Sequence, residues 1–209
     1  VRLALFALVA CATPPVLMRP AAPGARADPY RAVVVFVHHS GSRPASCAPG
    51  GPCMSAPAGF HPGGSPGVRI FGEHGELLGD SAPDTSFAAV VEPGEHSFVG
   101  WTQPWSGDGA QSALRVSVAA GRVYYIDVRA RAYYGSRGKG PPPWWHELEL
   151  HAIHRGDMVD PAQLVAHTVW REVDDELAIS TLGGDFSRIS LVNAAAATAP
   201  YALGPDDGY

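Results

Sequence analysis

The sequence predicts a mainly β protein, an antiparallel β-sandwich or partly open barrel with one packed C-terminal α-helix. Three observations carry this. Seven or more short apolar or alternating stretches are separated by turn residues, the 209 residues include 24 glycines and 20 prolines, and one stretch alone has a helical period. The length suits one domain with a proper core rather than two.

Residues 1–10 have the layout of a secretory signal, with Arg2 ahead of an apolar stretch over 3–10 and small residues after it. Eight apolar residues cannot cross a hydrocarbon layer of ~30 Å, which takes about 20. The quartet Leu8-Val9-Ala10-Cys11 resembles a bacterial lipobox. That resemblance implies cleavage before Cys11, acylation of its thiol, and a membrane as partner through an N-terminal lipid. Ala12 after the cysteine resembles the pattern that permits outer-membrane sorting. A buried N-terminal strand containing a cysteine is the competing reading. Residues 11–30, rich in Pro and Ala, read as a flexible tether, with the folded domain over 31–193.

With Cys11 lipidated, Cys47 and Cys53 remain as an even pair in SCAPGGPC, expected to form a disulfide in an oxidising compartment. So short a loop would stabilise the fold by about 2 kcal/mol. Two unpaired loop thiols are the alternative.

The first strand is Ala32-Val33-Val34-Val35-Phe36-Val37, a continuous run expected at the centre of a sheet and covered on both faces. Residues 38–67 are too rich in Gly, Pro and Ser to be core and read as an insertion loop. Strands over 68–71 and 76–78 flank His74-Gly75 as a hairpin. Strands over 86–92 and 95–101 flank Pro93-Gly94, where Pro fixes φ and Gly supplies a positive one, so a type II turn is expected. Leu114, Val116 and Val118 alternate with polar residues, and Ala120-Gly121 turns the chain back.

The next strand places Tyr124, Ile126, Val128, Ala130 and Ala132 on one face, with Asp127, Arg129 and Arg131 on the other. In the last, Leu148, Leu150 and Ala152 face inward while Glu147, Glu149 and His151 face out. The helix is expected over about 161–178, with Asp160 as N-cap, Pro161 at N1, Gln163 at N3, and a stripe of Val165, Val169, Val173 and Leu177. Residues 194–209 read as a flexible tail.

The succession GELLGD, SFAAVVEPGEHSFVGW and LRVSVAAGRVYYIDV resembles the PEGA-like β-sandwich modules of bacterial envelope lipoproteins, several of whose families have no assigned function. The match covers residues 68–128, most closely 91–98 and 120–126. It implies architecture and location, and supplies no catalytic residue.

Net charge is −5 with no long run of either sign, which argues against nucleic acid as a partner. No H-E-x-x-H and no Gly-rich phosphate loop leading into a helix is present, so no catalytic residue and no cofactor are expected. Two binding sites deserve testing. His38, His39, His61 and His74, with Cys47 and Cys53, carry metal-ligating groups around the insertion loop, though at irregular spacing. Trp101, Trp105, Trp144 and Trp145 lie near loops that could meet at one end of a sandwich and offer flat rings to a polysaccharide or an envelope protein. Together these features lead to the expectation of an exported, lipid-anchored, non-catalytic binding or structural module in the cell envelope, facing the periplasm from the outer membrane. A secreted metal- or glycan-binding module is the alternative.

Overall fold

The computed structural model describes residues 18–20, 28–39, 60–64, 66–102, 110–135, 144–157, 160–173 and 201–209. Two sheets face each other. The larger contains, in spatial order, β1 (Met18–Pro20), β11 (Val169–Val173), β6 (Thr85–Val91), β2 (Ala32–His38), β9 (Val123–Gly135) and β10 (Trp144–Ile153). In it β3 (Phe60–Gly64) also pairs with β9, beyond the end of β2. The smaller sheet runs β5 (Leu77–Ser81), β4 (Val68–Phe71), β7 (Gly94–Thr102), β8 (Gln111–Val118). Pairing is antiparallel except for β2 with β9 and β11 with β6, which are parallel. The predicted sandwich is thus the observed one.

Period-two alternation builds the core. Val34, Phe36, Phe87, Tyr124, Ile126, Val128 and Leu150 of the large sheet meet Val68, Ile70, Phe98, Leu114 and Val116 of the small one. Phe36 lies at the centre, stacked on Phe87 at 5.0 Å and edge-on to Phe98 at 5.3 Å. Each such side chain, fully buried, contributes roughly 1.5–3 kcal/mol. The continuous apolar run of β2 has the predicted cause. Its alternate residues Val33, Val35 and Val37 are buried on the opposite face, against Trp170 and the partly buried Leu164 and Val165.

Two expected chain reversals prove to be crossings between sheets. β6 does not pair with β7, nor β8 with β9; Pro93-Gly94 and Ala120-Gly121 each carry the chain from one sheet to the other. Both flanking strands bury an alternating face, and those faces meet across the core instead of lying side by side. Gly94 has φ 137°, open to glycine alone, which is what lets the corner form.

The expected helix is cut short. α1 (Pro161–Val165) has the predicted start, the Asp160 carboxylate accepting from the Ala162 amide at 2.9 Å, but Val169–Val173 is strand β11. β-branched Val169 and Val173 with Trp170 favour a strand, and β6 offers a parallel partner to residues 169–171. Of the expected stripe, Val169 is exposed and Leu177 lies outside the described residues.

Three boundaries also move. Within the expected tether, Met18 is buried in the core and pairs opposite Val173, so the folded body reaches back at least to β1. Within the expected insertion loop, His38 belongs to β2 and residues 60–64 form β3. Within the expected flexible tail, residues 201–209 are docked: Leu203 is 1% exposed and bridges Val116 of β8, and Tyr209 exchanges both backbone hydrogen bonds with Val123 of β9.

Candidate functional site

The β9–β10 hairpin brings together the alternating charged residues of its two strands with Trp144 and Trp145. Its register pairs Glu147 with Arg131, Glu149 with Arg129, and His151 with Asp127. On the outer face this gives a ladder of opposite charges. Asp127 accepts from Arg129 Nε at 2.7 Å, Arg129 Nη1 lies 3.5 Å from Glu149, and His151 Nδ1 lies 3.7 Å from Glu149. Burial, then the Arg129 charge, hold the His151 imidazole below its ordinary pKa despite the carboxylates nearby. Cations and carboxylates alternate along this ladder, and charged residues on an edge strand such as β10 disfavour its pairing with another chain.

At the loop end of the same hairpin the register is aromatic. Trp144 stands opposite Tyr134 and Trp145 opposite Tyr133, while β3 places His61 opposite Tyr134 and Pro62 opposite Tyr133. Two cross-strand rows result, His61–Tyr134–Trp144 and Pro62–Tyr133–Trp145. Tyr133 and Tyr134 were not among the predicted site residues. The sequence signal for them is that YY and WW flank one Gly- and Pro-rich segment, so a hairpin there pairs them across its two strands.

The four tryptophans do not form one platform among the described residues. Trp101 is on β7 in the other sheet, paired with Gln111 and Arg69, and packs with Phe71, Val99, Leu77 and Ala113 on that sheet's outer face. Its Nε1 is buried, with no hydrogen-bond partner. Trp105 lies outside the described residues, as do Cys11, Cys47 and Cys53.

The metal-ligand candidates are likewise dispersed. His38 is fully buried beside Ser81, at the open end of the β4–β5 hairpin. His74 is in the turn at its closed end, 3.4 Å from Glu73, a strand length away. His39 follows β2 and is half-buried; His61 is on β3. Among the described residues no three His, Cys, Asp or Glu side chains converge as a metal site would require. No helix among the described residues is long and apolar enough to cross a membrane.

No family model, no curated protein and no solved structure matches this chain.

Proposed function

We propose that this chain is a lipid-anchored, non-catalytic β-sandwich module displayed outside the cytoplasm, which binds a polysaccharide or an envelope protein through the aromatic end of its large sheet. The observation that carries the binding role is the register of β3, β9 and β10, which gathers Trp144, Trp145, Tyr133, Tyr134 and His61 at one end of the large sheet, in two rows that the strand period of two assigns to opposite faces. Aromatic residues grouped in this way are suited to the apolar faces of sugar rings. The lipobox-like quartet ending at Cys11 and the PEGA-like motifs support the location.

Met18, where β1 begins, is only seven residues beyond Cys11, a span of at most about 25 Å. An acylated Cys11 would hold the β1 side of the sandwich close to the bilayer. A secreted glycan-binding module without the lipid is the second reading, supported by the same aromatic rows.

Two measurements test the proposal. Detergent partitioning and intact mass should show acylated wild type and a water-soluble Cys11→Ser variant; partitioning that survives the substitution overturns the anchor. Retention on insoluble cell-wall polysaccharide or on immobilised envelope extract should fall at least tenfold in a folded Trp144→Ala, Trp145→Ala double variant. Unchanged retention on both would end the binding assignment.

A further inference from the structure

Residues 201–209 run along one margin of the sandwich and touch both sheets. Tyr201 and Leu203 lie on the edge of β8, where the Ala202 amide donates to the Arg115 carbonyl at 2.8 Å and the Ser117 amide to the Leu203 carbonyl at 2.9 Å. After the 3₁₀ turn Pro205–Asp207 the chain reaches β9, where Tyr209 continues the lane that β10 leaves at Ile153. Side chains fix the direction. Arg115 stacks on the Tyr201 ring at 4.2 Å, Leu203 fills the core, the Tyr124 hydroxyl donates to the Pro205 carbonyl at 2.9 Å, and Arg122 donates to the Gly208 carbonyl at 2.8 Å. His154 and Asp207 meet at 3.2 Å.

This is strand addition at a sheet edge combined with one apolar anchor, the means by which folded domains accept an extended peptide. The connection to the rest of the chain does not dictate which copy supplies the segment. β11, the preceding described element, lies against β5, which is three strand positions, about 14 Å, from β8 where Tyr201 docks, with about 10 Å more between the sheets. The 27 residues of 174–200 can span up to about 90 Å.

We infer that residues 201–209 are a releasable strap over a β-strand acceptor site, the edge of β8 with the start of β9, and that the acceptor's other occupant is the same segment of a second copy of this chain. The inference is independent of the lipid anchor and of the aromatic rows. The tethered strap competes at an effective concentration of the order of mM, so exchange between copies appears as concentration is raised towards that range.

Sedimentation of the full chain over a concentration series reaching about 1 mM tests this. The expected result is a dimer fraction that grows with concentration, falls at least tenfold in Leu203→Asp, and is suppressed by an excess of the nine-residue peptide YALGPDDGY. A chain that stays monomeric throughout, or a dimer indifferent to the substitution and the peptide, overturns the inference. Should Leu203→Asp fail to fold, amide exchange of the wild type decides. The amides of Ser117, Val123, Ala202 and Tyr209 should exchange as one group, at least tenfold faster than those of β2. Equal protection of the two groups overturns the strap.

Discussion

The His38 ring donates from Nδ1 to the carbonyl of Ser81 at 2.8 Å, tying the end of β2 in one sheet to the end of β5 in the other. A carbonyl only accepts, so Nδ1 carries the proton in the folded state. Burial pushes the His38 pKa below its ordinary 6.5, outweighing the Ser81 bond and the Asp127 charge. The unfolded chain therefore takes up a proton first as pH falls. Stability should be flat above the unfolded value and decline as pH drops from 6.5 towards the lower folded value. Burial lowers His146 and His151 too, adding to the decline with the same sign. Urea midpoints between pH 7.5 and 5 should show the loss, and a folded His38→Gln variant should show a shallower one. An unchanged slope in the variant would remove His38 from the account.

Gly79 of β5 is a close-approach position, because a Cβ there would lie 2.7 Å from the Phe87 ring. The ring is held by its stack on Phe36 and cannot move without loss. Gly79→Ala should destabilise by about 1–3 kcal/mol through overpacking. Combining it with Phe87→Leu should cost less than the sum of the two single changes, as a double-mutant cycle in urea would reveal.

The Tyr124 hydroxyl accepts from the Ala119 amide at 2.9 Å while donating to Pro205. Tyr124→Phe keeps the ring and leaves two backbone groups without this partner, at a cost of about 1–3 kcal/mol. Exchange at Ala202 and Tyr209 should quicken by more than the β2 amides do. Uniform acceleration would mean that the hydroxyl supports the whole fold and not the strap.

Charge removal should separate two ion pairs by their burial. Arg129, largely buried, holds Asp127, whose side chain is 11% exposed. Arg129→Met should cost about 1–3 kcal/mol by leaving that carboxylate buried without its cation. Arg31 and Glu92 approach to 3.3 Å but are mostly in water, and Arg31→Met should cost under about 1 kcal/mol. Thermal or urea unfolding of the two variants side by side gives the comparison.

Much of the fold was legible because strands write their faces into alternating residues. The inward set Tyr124, Ile126, Val128 and Ala130, its partner set Leu148, Leu150 and Ala152, the double burial of β2 and the Asp160 cap were all local consequences of sequence. The aromatic end of the hairpin was half legible. The tryptophans stood out, but Tyr133, Tyr134 and His61 join them only through pairing register.

What the sequence by itself determined is the period of each strand and the places where the chain must turn. It did not determine which strand lies beside which. Pro93-Gly94 serves a hairpin and a sheet-to-sheet corner equally well, and only packing of Phe87 from one sheet and Phe98 from the other against Phe36 selects the corner. The same holds for Met18, Val169–Val173 and Leu203, whose partners are remote in sequence. Their local stretches are too short or too polar to announce a strand, and burial against distant elements supplied what local propensity could not.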